Sequence, residues 1–122
     1  MERRTILQGE VYVCELDGID SEQKGEKLCI VLQLDIINRT SPNVIIVPIT
    51  SKIKKDMPTH LTFTQKKYPF FRYKYNTALC ECIRSVSKSR LGKRVGKIED
   101  KDLGELLIIK EYAYKKYNFN HK

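Results

Sequence analysis

The sequence predicts a mainly β protein, a small antiparallel barrel of short strands followed by one C-terminal α-helix. Two nearly continuous apolar runs, residues 28–32 and 44–47, are typical of strands that are covered on both faces. Only a polar turn at residues 38–43 separates them, and so short a connection favours an antiparallel pair over a βαβ unit. After Asp100 the apolar residues recur at helical spacing instead, which predicts a helix.

The other predicted elements are short. Strands are expected where β-formers are frequent or polar and apolar residues alternate, at residues 9–16, 59–64 and 77–84. Asp17-Gly18 ends the first strand and begins a long polar loop. A single helical turn is expected at residues 87–91. In the C-terminal helix the acids come early and the lysines late, as the helix dipole favours, and Asp100 or Asp102 is the expected cap.

Length and composition indicate one soluble domain spanning residues 1–122. No stretch approaches the roughly 20 apolar residues that a membrane helix needs, and no apolar run of signal-peptide length follows the first residues. We therefore expect a cytoplasmic protein. The cysteines Cys14, Cys29, Cys80 and Cys82 lack the C-x-x-C spacing of a zinc site, so we expect reduced thiols, no metal and no cofactor.

The formal net charge of +8 favours a polyanionic partner: nucleic acid, an anionic membrane face or an acidic protein. Between residues 66 and 75, basic side chains are interleaved with aromatic ones. Such a mixture suits single-stranded RNA, because its bases stack on aromatic rings while its phosphates contact cations. The alternative for Phe70 and Phe71 is that their rings fill one end of the barrel.

Two polar residues flank the apolar runs: Lys27 precedes the first, and Thr50 follows the second. When the runs pair in antiparallel fashion, the beginning of one lies beside the end of the other, so Lys27 and Thr50 are expected at one rim. The preceding loop adds Glu22. A cation, a hydroxyl and a carboxylate at one rim of a basic protein predict a phosphate-handling site.

Short motifs along most of the chain occur in a specific order. They are Gly9-Glu10-Val11-Tyr12, Ser21-Glu22-Gln23 with Gly25, Gln33-Leu34-Asp35, Asn38, Ser41-Pro42, Pro48-Ile49-Thr50, Pro58-Thr59-His60, Ile83-Arg84 and Arg90-Leu91. In this order and spacing the set resembles the PemK/MazF family, toxins of bacterial toxin–antitoxin pairs. The resemblance implies an SH3-like barrel, an endoribonuclease acting on single-stranded RNA, a homodimer, and a cognate antitoxin whose acidic tail fills the RNA groove.

The resemblance also implies a reaction that needs no metal. In the family the 2′-OH of the RNA attacks the neighbouring phosphate, which leaves 2′,3′-cyclic phosphate and 5′-OH ends. An arginine at the start of the second strand and a threonine at the end of the third do most of this work, and the threonine corresponds to Thr50. Lys27 stands in place of the arginine and keeps the charge without the planar guanidinium. Lys27 is then a general acid or an electrostatic clamp; alternatively, its presence means reduced nuclease activity.

The polar loop supplies the remaining candidates. Glu22 is a candidate acceptor for the 2′-OH proton, and the alternative is that it only orders its loop through hydrogen bonds. Ser21 and Gln23 are expected to order the same loop or to contact bases. Structural roles are expected instead for three polar residues after the second strand: Gln33, Asp35 and Asn38.

Basic residues near the rim are expected to contact RNA phosphates, with a solvated charged face as the alternative for each. They are Arg39, Lys52, Lys54 and Lys55. Arg84 lies within a predicted strand, where an arginine needs a partner or a ligand; it is expected to form the floor of the RNA groove or to bind an acidic residue across a dimer interface.

Two other classes of function stay open from the sequence. One is a non-catalytic topoisomerase poison like CcdB, which shares the barrel, although residues 117–122 offer no clear match to its C-terminal mode of action. The other is a degenerate RNA-binding relative, which the loss of the arginine would explain.

Overall fold

The computed structural model describes residues 5–16, 25–52 and 56–114. Its strands and helices, in chain order, are β1 (Glu10–Leu16), β2 (Gly25–Val31), α1 (Asp35–Thr40), β3 (Asn43–Thr50), β4 (His60–Thr64), β5 (Tyr75–Leu79), β6 (Arg84–Ser87), β7 (Leu91–Lys97), α2 (Asp100–Ile109) and α3 (Glu111–Tyr114). Short 3-10 turns lie at Cys80–Cys82 and Lys88–Arg90. In the described part of the chain, no helix has the length and apolar character required to span a membrane.

The strands form one antiparallel sheet in the order β4-β5-β3-β2-β1-β7, and β6 pairs with the first half of β3. The predicted antiparallel pair is present, because β2 and β3 are direct neighbours. A mainly antiparallel fold with a C-terminal helix is thus confirmed. The expectation of a closed barrel is wrong: β4 and β7 lie at the two ends of the strand order and do not pair with each other.

Aromatic side chains occupy the space between these two edge strands. Phe63 of β4 stacks on Phe71, with 5.7 Å between ring centroids. Phe70 packs against β7 so closely that a Cβ at Gly96 would lie 2.3 Å from its ring. The edges are therefore connected through side chains rather than backbone hydrogen bonds, which is why the sheet stays open. Phe70 and Phe71 thus belong to the interior, in agreement with the alternative to RNA stacking.

The core lies on both faces of the central strands. Along β2, Leu28 and Ile30 belong to one buried cluster, while Cys29 and Val31 belong to the other. The first cluster also receives side chains of α2. Because alternate residues of a strand point to opposite faces, a strand with two buried faces requires an unbroken apolar run. This double burial explains the continuous pattern from which the strand was predicted.

The connection between β2 and β3 is a short helix, α1, and not the expected turn. Its cause is a pair of buried amides: Gln33 Nε2 donates to Asn38 Oδ1 at 2.9 Å, and Asn38 Nδ2 donates to the Gln33 carbonyl at 2.9 Å. Asn38 Nδ2 also donates to the Ile6 carbonyl at 3.1 Å. These bonds hold the segment in helical form without any side-chain cap. This geometry agrees with the structural roles expected of Gln33 and Asn38. Asp35 also has a structural role, because its Oδ1 accepts a hydrogen bond from the backbone N–H of Gln8.

The strands after β4 differ from the prediction in two further ways. Residues 77–84 do not form one strand, because the turn Cys80–Cys82 separates β5 from β6. Both pair with β3, but Ile49 lies opposite Ala78 whereas Ile46 lies opposite Arg84, so the turn absorbs three extra residues. Strand β7 was not predicted, because its glycines and charged residues give it the composition of a loop. Charged side chains are common on exposed edge strands.

The N-terminus of α2 differs from the predicted cap. Glu99 occupies the cap position without a side-chain cap bond. Asp102 instead accepts a hydrogen bond from the Tyr68 hydroxyl, and Lys67 Nζ lies 3.0 Å from its carboxylate. Asp102 therefore joins the helix to the aromatic segment between the edge strands. Asp100 has no such role in the hydrogen bonds described. The helix α2 ends at Ile109, and the short helix α3 follows it.

Asp102 is expected to make the stability depend on pH. Burial raises the pKa of its carboxyl, but the hydrogen bonds from Tyr68 and Lys67 outweigh this and hold the pKa below its ordinary value of 3.8. Such a group stabilises the fold fully above pH 3.8, and the contribution is lost as the pH falls through the lower, folded-state pKa. We expect Asp102→Asn to lower the free energy of unfolding by about 1 kcal/mol at pH 7 and by progressively less below pH 4.

Urea denaturation at several pH values between neutral and strongly acidic measures this difference. Asp100→Asn is the matched control, since it removes the same charge from the same helical turn at an exposed position. A loss that is equal in both variants, or that does not change with pH, would contradict the role given to Asp102.

Candidate functional site

Lys27 and Thr50 meet where β2 begins and β3 ends. The two strands pair with Cys29 opposite Pro48, so the same register continued by two residues places Lys27 opposite Thr50. Both residues line one open cleft of about 210 Å³. The structure thus brings together the cation and the hydroxyl that the sequence analysis placed at one rim.

The other wall of the cleft comes from the segment that leads into β5. Arg72, Tyr73 and Asn76 line it, and Lys52 adds a further cation beyond the end of β3. The cleft therefore holds three basic side chains, with Glu26 as the acidic residue of its lining. A concave surface with such an excess of positive charge concentrates anions.

The Thr50 hydroxyl keeps its hydrogen free for a ligand among the hydrogen bonds that the structure describes. Its Oγ1 accepts a hydrogen bond from the Lys52 amide at 3.1 Å. Because a hydroxyl has one hydrogen and two lone pairs, this bond leaves the hydrogen available for an oxygen atom of a ligand. Thr50 itself is half-buried at the end of a paired strand, so its position is fixed by the sheet.

The segment that carries Arg72 and Tyr73 is anchored on both sides. The Phe71 side chain before it is buried, and Gln65 Nε2 donates to the Phe71 carbonyl at 2.9 Å. Asn76 after it is buried, and its Nδ2 donates to the Tyr73 carbonyl at 2.7 Å. The two cleft side chains themselves stay accessible: Tyr73 is 56% exposed.

Two basic residues expected to contact RNA do not line this cleft. Arg39 is in the last turn of α1, before β3 begins, whereas Thr50 is the last residue of that strand. The two ends of β3 are roughly 20 Å apart at the usual rise per residue, so Arg39 is not part of the cleft. Arg84 is half-buried on β6 opposite Ile46, and it too is not among the lining residues. Arg39 is close to Thr50 in sequence but distant from it in space because β3 is extended, and the RNA contacts expected of Arg39 and Arg84 stay predictions.

Five other candidates lie outside the described residues: Ser21, Glu22, Gln23, Lys54 and Lys55. Their expected roles in proton transfer, loop order and RNA contact therefore stay predictions. Among the residues that the structure describes, no group of three or more histidine, cysteine, aspartate or glutamate side chains is arranged to hold a metal ion.

Sequence reasoning missed Arg72, Glu26 and Asn76 as cleft residues. The signal for Arg72 was present, because the basic and aromatic segment had been assigned to RNA binding as a whole. Glu26 is the immediate neighbour of Lys27, but it belongs to a polar run that is typical of a loop, so the sequence did not indicate it as a cleft residue. Asn76 carried no signal, since its role depends on backbone carbonyls of Phe63 and Tyr73 that only the fold brings near it.

Comparisons with known proteins give one consistent result. Residues 7–108 match the model of the PemK-like, MazF-like toxins of type II toxin–antitoxin systems. The chain is 37% identical over 97 residues to the endoribonuclease EndoA of Bacillus subtilis, which covers 78% of this chain and 82% of that protein. Among solved structures, MazF from Deinococcus radiodurans matches with a TM-score of 0.77 at 17% identity, covering 93% of this chain and 99% of that one.

A mycobacterial endoribonuclease in complex with its cognate antitoxin matches with a TM-score of 0.70 at 20% identity, covering 93% of this chain and 98% of that chain. At such identities the solved structures establish the fold alone. The fold described above, with its antiparallel sheet and C-terminal helix, is thus that of MazF-like proteins.

Proposed function

Because the chain belongs to the PemK-like, MazF-like toxins of type II toxin–antitoxin systems, we propose that it is a toxin endoribonuclease that cuts single-stranded RNA in the cleft lined by Lys27 and Thr50. The observation that carries this proposal is the meeting of these two residues in a cleft with an excess of cations. The similarity to an endoribonuclease supports the same activity. Its site of action is the cytoplasm, where mRNA is translated.

The chemistry of the cleft suits transesterification of RNA. The 2′-OH of one nucleotide attacks the adjacent phosphate, so that a 2′-O–P bond forms and the P–O5′ bond breaks. A base takes the proton of the 2′-OH, and an acid gives a proton to the departing 5′ oxygen. Glu22 is the candidate base. Lys27 is the candidate acid or the cation that stabilises the phosphorane, and Thr50 donates a hydrogen bond to one of its oxygens.

No water molecule is consumed in this step, and no metal ion is needed to activate one. The test is therefore cleavage of a long single-stranded RNA in excess EDTA, with a fully paired duplex of the same sequence as the control. We expect fragments from the single strand alone. Their 5′ ends should accept phosphate from a kinase without prior treatment, and their 3′ ends should resist extension until the cyclic phosphate is opened and the resulting phosphate is removed. Absence of cutting by the folded protein, on several RNAs, would reject the proposal.

A cognate antitoxin with an acidic segment is the second partner we propose. The net charge of +8 and the cations Lys27, Lys52 and Arg72 in one cleft favour an acidic chain as well as RNA. The two ligands then compete for one surface. Fluorescence anisotropy of labelled RNA, titrated with the antitoxin peptide, measures this competition. If saturating peptide leaves the RNA affinity unchanged, the shared surface is refuted.

We also propose a homodimer, supported by an apolar surface on and beside α1. Four large aliphatic side chains are exposed there, and exposed apolar residues that are grouped mark protein–protein interaction sites; they are Leu34, Ile36, Ile37 and Ile45. Ile36, which is 63% exposed, is the most accessible of them. Ile36→Asp is expected to convert the dimer into a monomer in light scattering, whereas Ile108→Asp, at an equally exposed position on α2, should not. A dimer that persists in Ile36→Asp would place the interface elsewhere.

A further inference from the structure

Lys27 leaves one requirement of the proposed reaction unmet. The crowded phosphorane has several charged oxygens, and a guanidinium can bind two of them at once through parallel N–H donors. An ammonium is a point charge and offers no such geometry. The question is whether another residue of this chain brings a guanidinium to the same phosphate.

Arg72 is placed to do so. It lines the same cleft as Lys27 and Thr50, although it comes from a different part of the chain. Its Nη2 lies 3.8 Å from the Glu26 carboxylate, and Glu26 is the residue next to Lys27 in β2. The guanidinium therefore lies beside the first residues of β2, next to a residue that adjoins Lys27 in the chain.

The surroundings of Arg72 suit a ligand better than a structural role. Its side chain is 48% exposed, and that of its partner Glu26 is 63% exposed. An ion pair so open to water contributes little to stability, and a phosphate can displace the carboxylate at small cost. The backbone around Arg72, in contrast, is fixed by Gln65 on one side and Asn76 on the other. Such anchoring limits the reorganisation needed on binding.

We propose that Arg72 supplies the guanidinium that contacts the scissile phosphate, in place of the arginine whose position Lys27 occupies. This inference rests on the proposed endoribonuclease function. It makes the site a composite, in which the charge at the start of β2 comes from Lys27 and the planar donor comes from the segment before β5. Thr50 keeps its role as hydroxyl donor.

The test is a double-mutant cycle with Arg72→Lys and Lys27→Arg, read as kcat and KM on one RNA. In the natural background we expect Arg72→Lys to lower kcat by about tenfold to a hundredfold, because charge is kept but bidentate contact is lost. In the Lys27→Arg background, where a guanidinium stands at the start of β2, the same change should cost no more than about threefold. Each variant is checked for folding by its thermal unfolding midpoint.

A second comparison separates a phosphate contact from a general effect of charge. Arg72→Ala and Lys93→Ala both remove one positive charge, but Lys93 is an exposed residue of β7 outside the cleft. We expect only Arg72→Ala to lower kcat. Equal losses in these two variants, or an Arg72→Lys loss that is the same in both Lys27 backgrounds, would overturn the inference while the endoribonuclease function stands. If neither the natural protein nor Lys27→Arg cuts RNA, the proposed function fails and this inference with it.

Discussion

Thr50→Val is expected to lower the rate of RNA cleavage by about a hundredfold to a thousandfold, the usual cost of removing one donor to a developing oxyanion. Valine has nearly the shape of threonine and keeps the strand packing, but it cannot donate a hydrogen bond. The hydroxyl of Thr50 is oriented by the Lys52 amide, from which it accepts a bond at 3.1 Å. Because the lost interaction forms with the transition state, the loss should appear in kcat rather than in KM.

Thr50→Ser is the control, since serine retains the hydroxyl and should keep most of the activity. Single-turnover cleavage of one RNA, measured for both variants, gives the comparison directly. The Lys52 amide that loses its acceptor in Thr50→Val is exposed and can bond to water, so the free energy of unfolding should change by less than about 1 kcal/mol. Full activity in Thr50→Val would remove Thr50 from the mechanism.

Asn38→Ala is expected to cost about 3 kcal/mol of stability, the largest loss that we predict for a polar residue of this chain. Asn38 is 2% exposed and exchanges hydrogen bonds with Gln33 in both directions, besides donating to the Ile6 carbonyl. The backbone carbonyl of Asn38 accepts a hydrogen bond from Lys88 Nζ. Removing the side-chain amide leaves the buried carbonyls of Ile6 and Gln33 without their donor and opens a cavity. Both effects lower the free energy of unfolding.

Urea denaturation at neutral pH measures the loss. Asn43→Ala is the matched control, because it removes the same side chain from an exposed position at the start of β3; it should change the free energy of unfolding by no more than about 0.5 kcal/mol. A cost for Asn38→Ala below about 1 kcal/mol would mean that α1 holds its conformation without the amide pair.

The sequence was sufficient to place some residues of the candidate site but not others. Lys27 and Thr50 could be placed together from the sequence because antiparallel pairing follows from two apolar runs and a short connection, and pairing determines which ends meet. Arg72 could be assigned only to a basic and aromatic segment, because its approach to Glu26 depends on how that segment crosses the sheet. Arg39 lies outside the cleft for the converse reason: it is close to Thr50 in sequence, but an extended strand lies between them.

The sequence by itself determined the antiparallel β framework, the C-terminal helix, the family and the identity of three cleft residues, Lys27, Thr50 and Lys52. These follow from hydrophobic periodicity and ordered motifs, which are local properties of the chain. Only the tertiary structure decided that the sheet stays open, since this depends on Phe70 packing onto Gly96 and Phe71 onto Phe63. It also decided that Asn38 is a buried member of a helix and that Arg72 completes the cleft. The contacts of Phe70 with Gly96 and of Arg72 with Glu26 join residues far apart in the chain, and no local pattern encodes their distance.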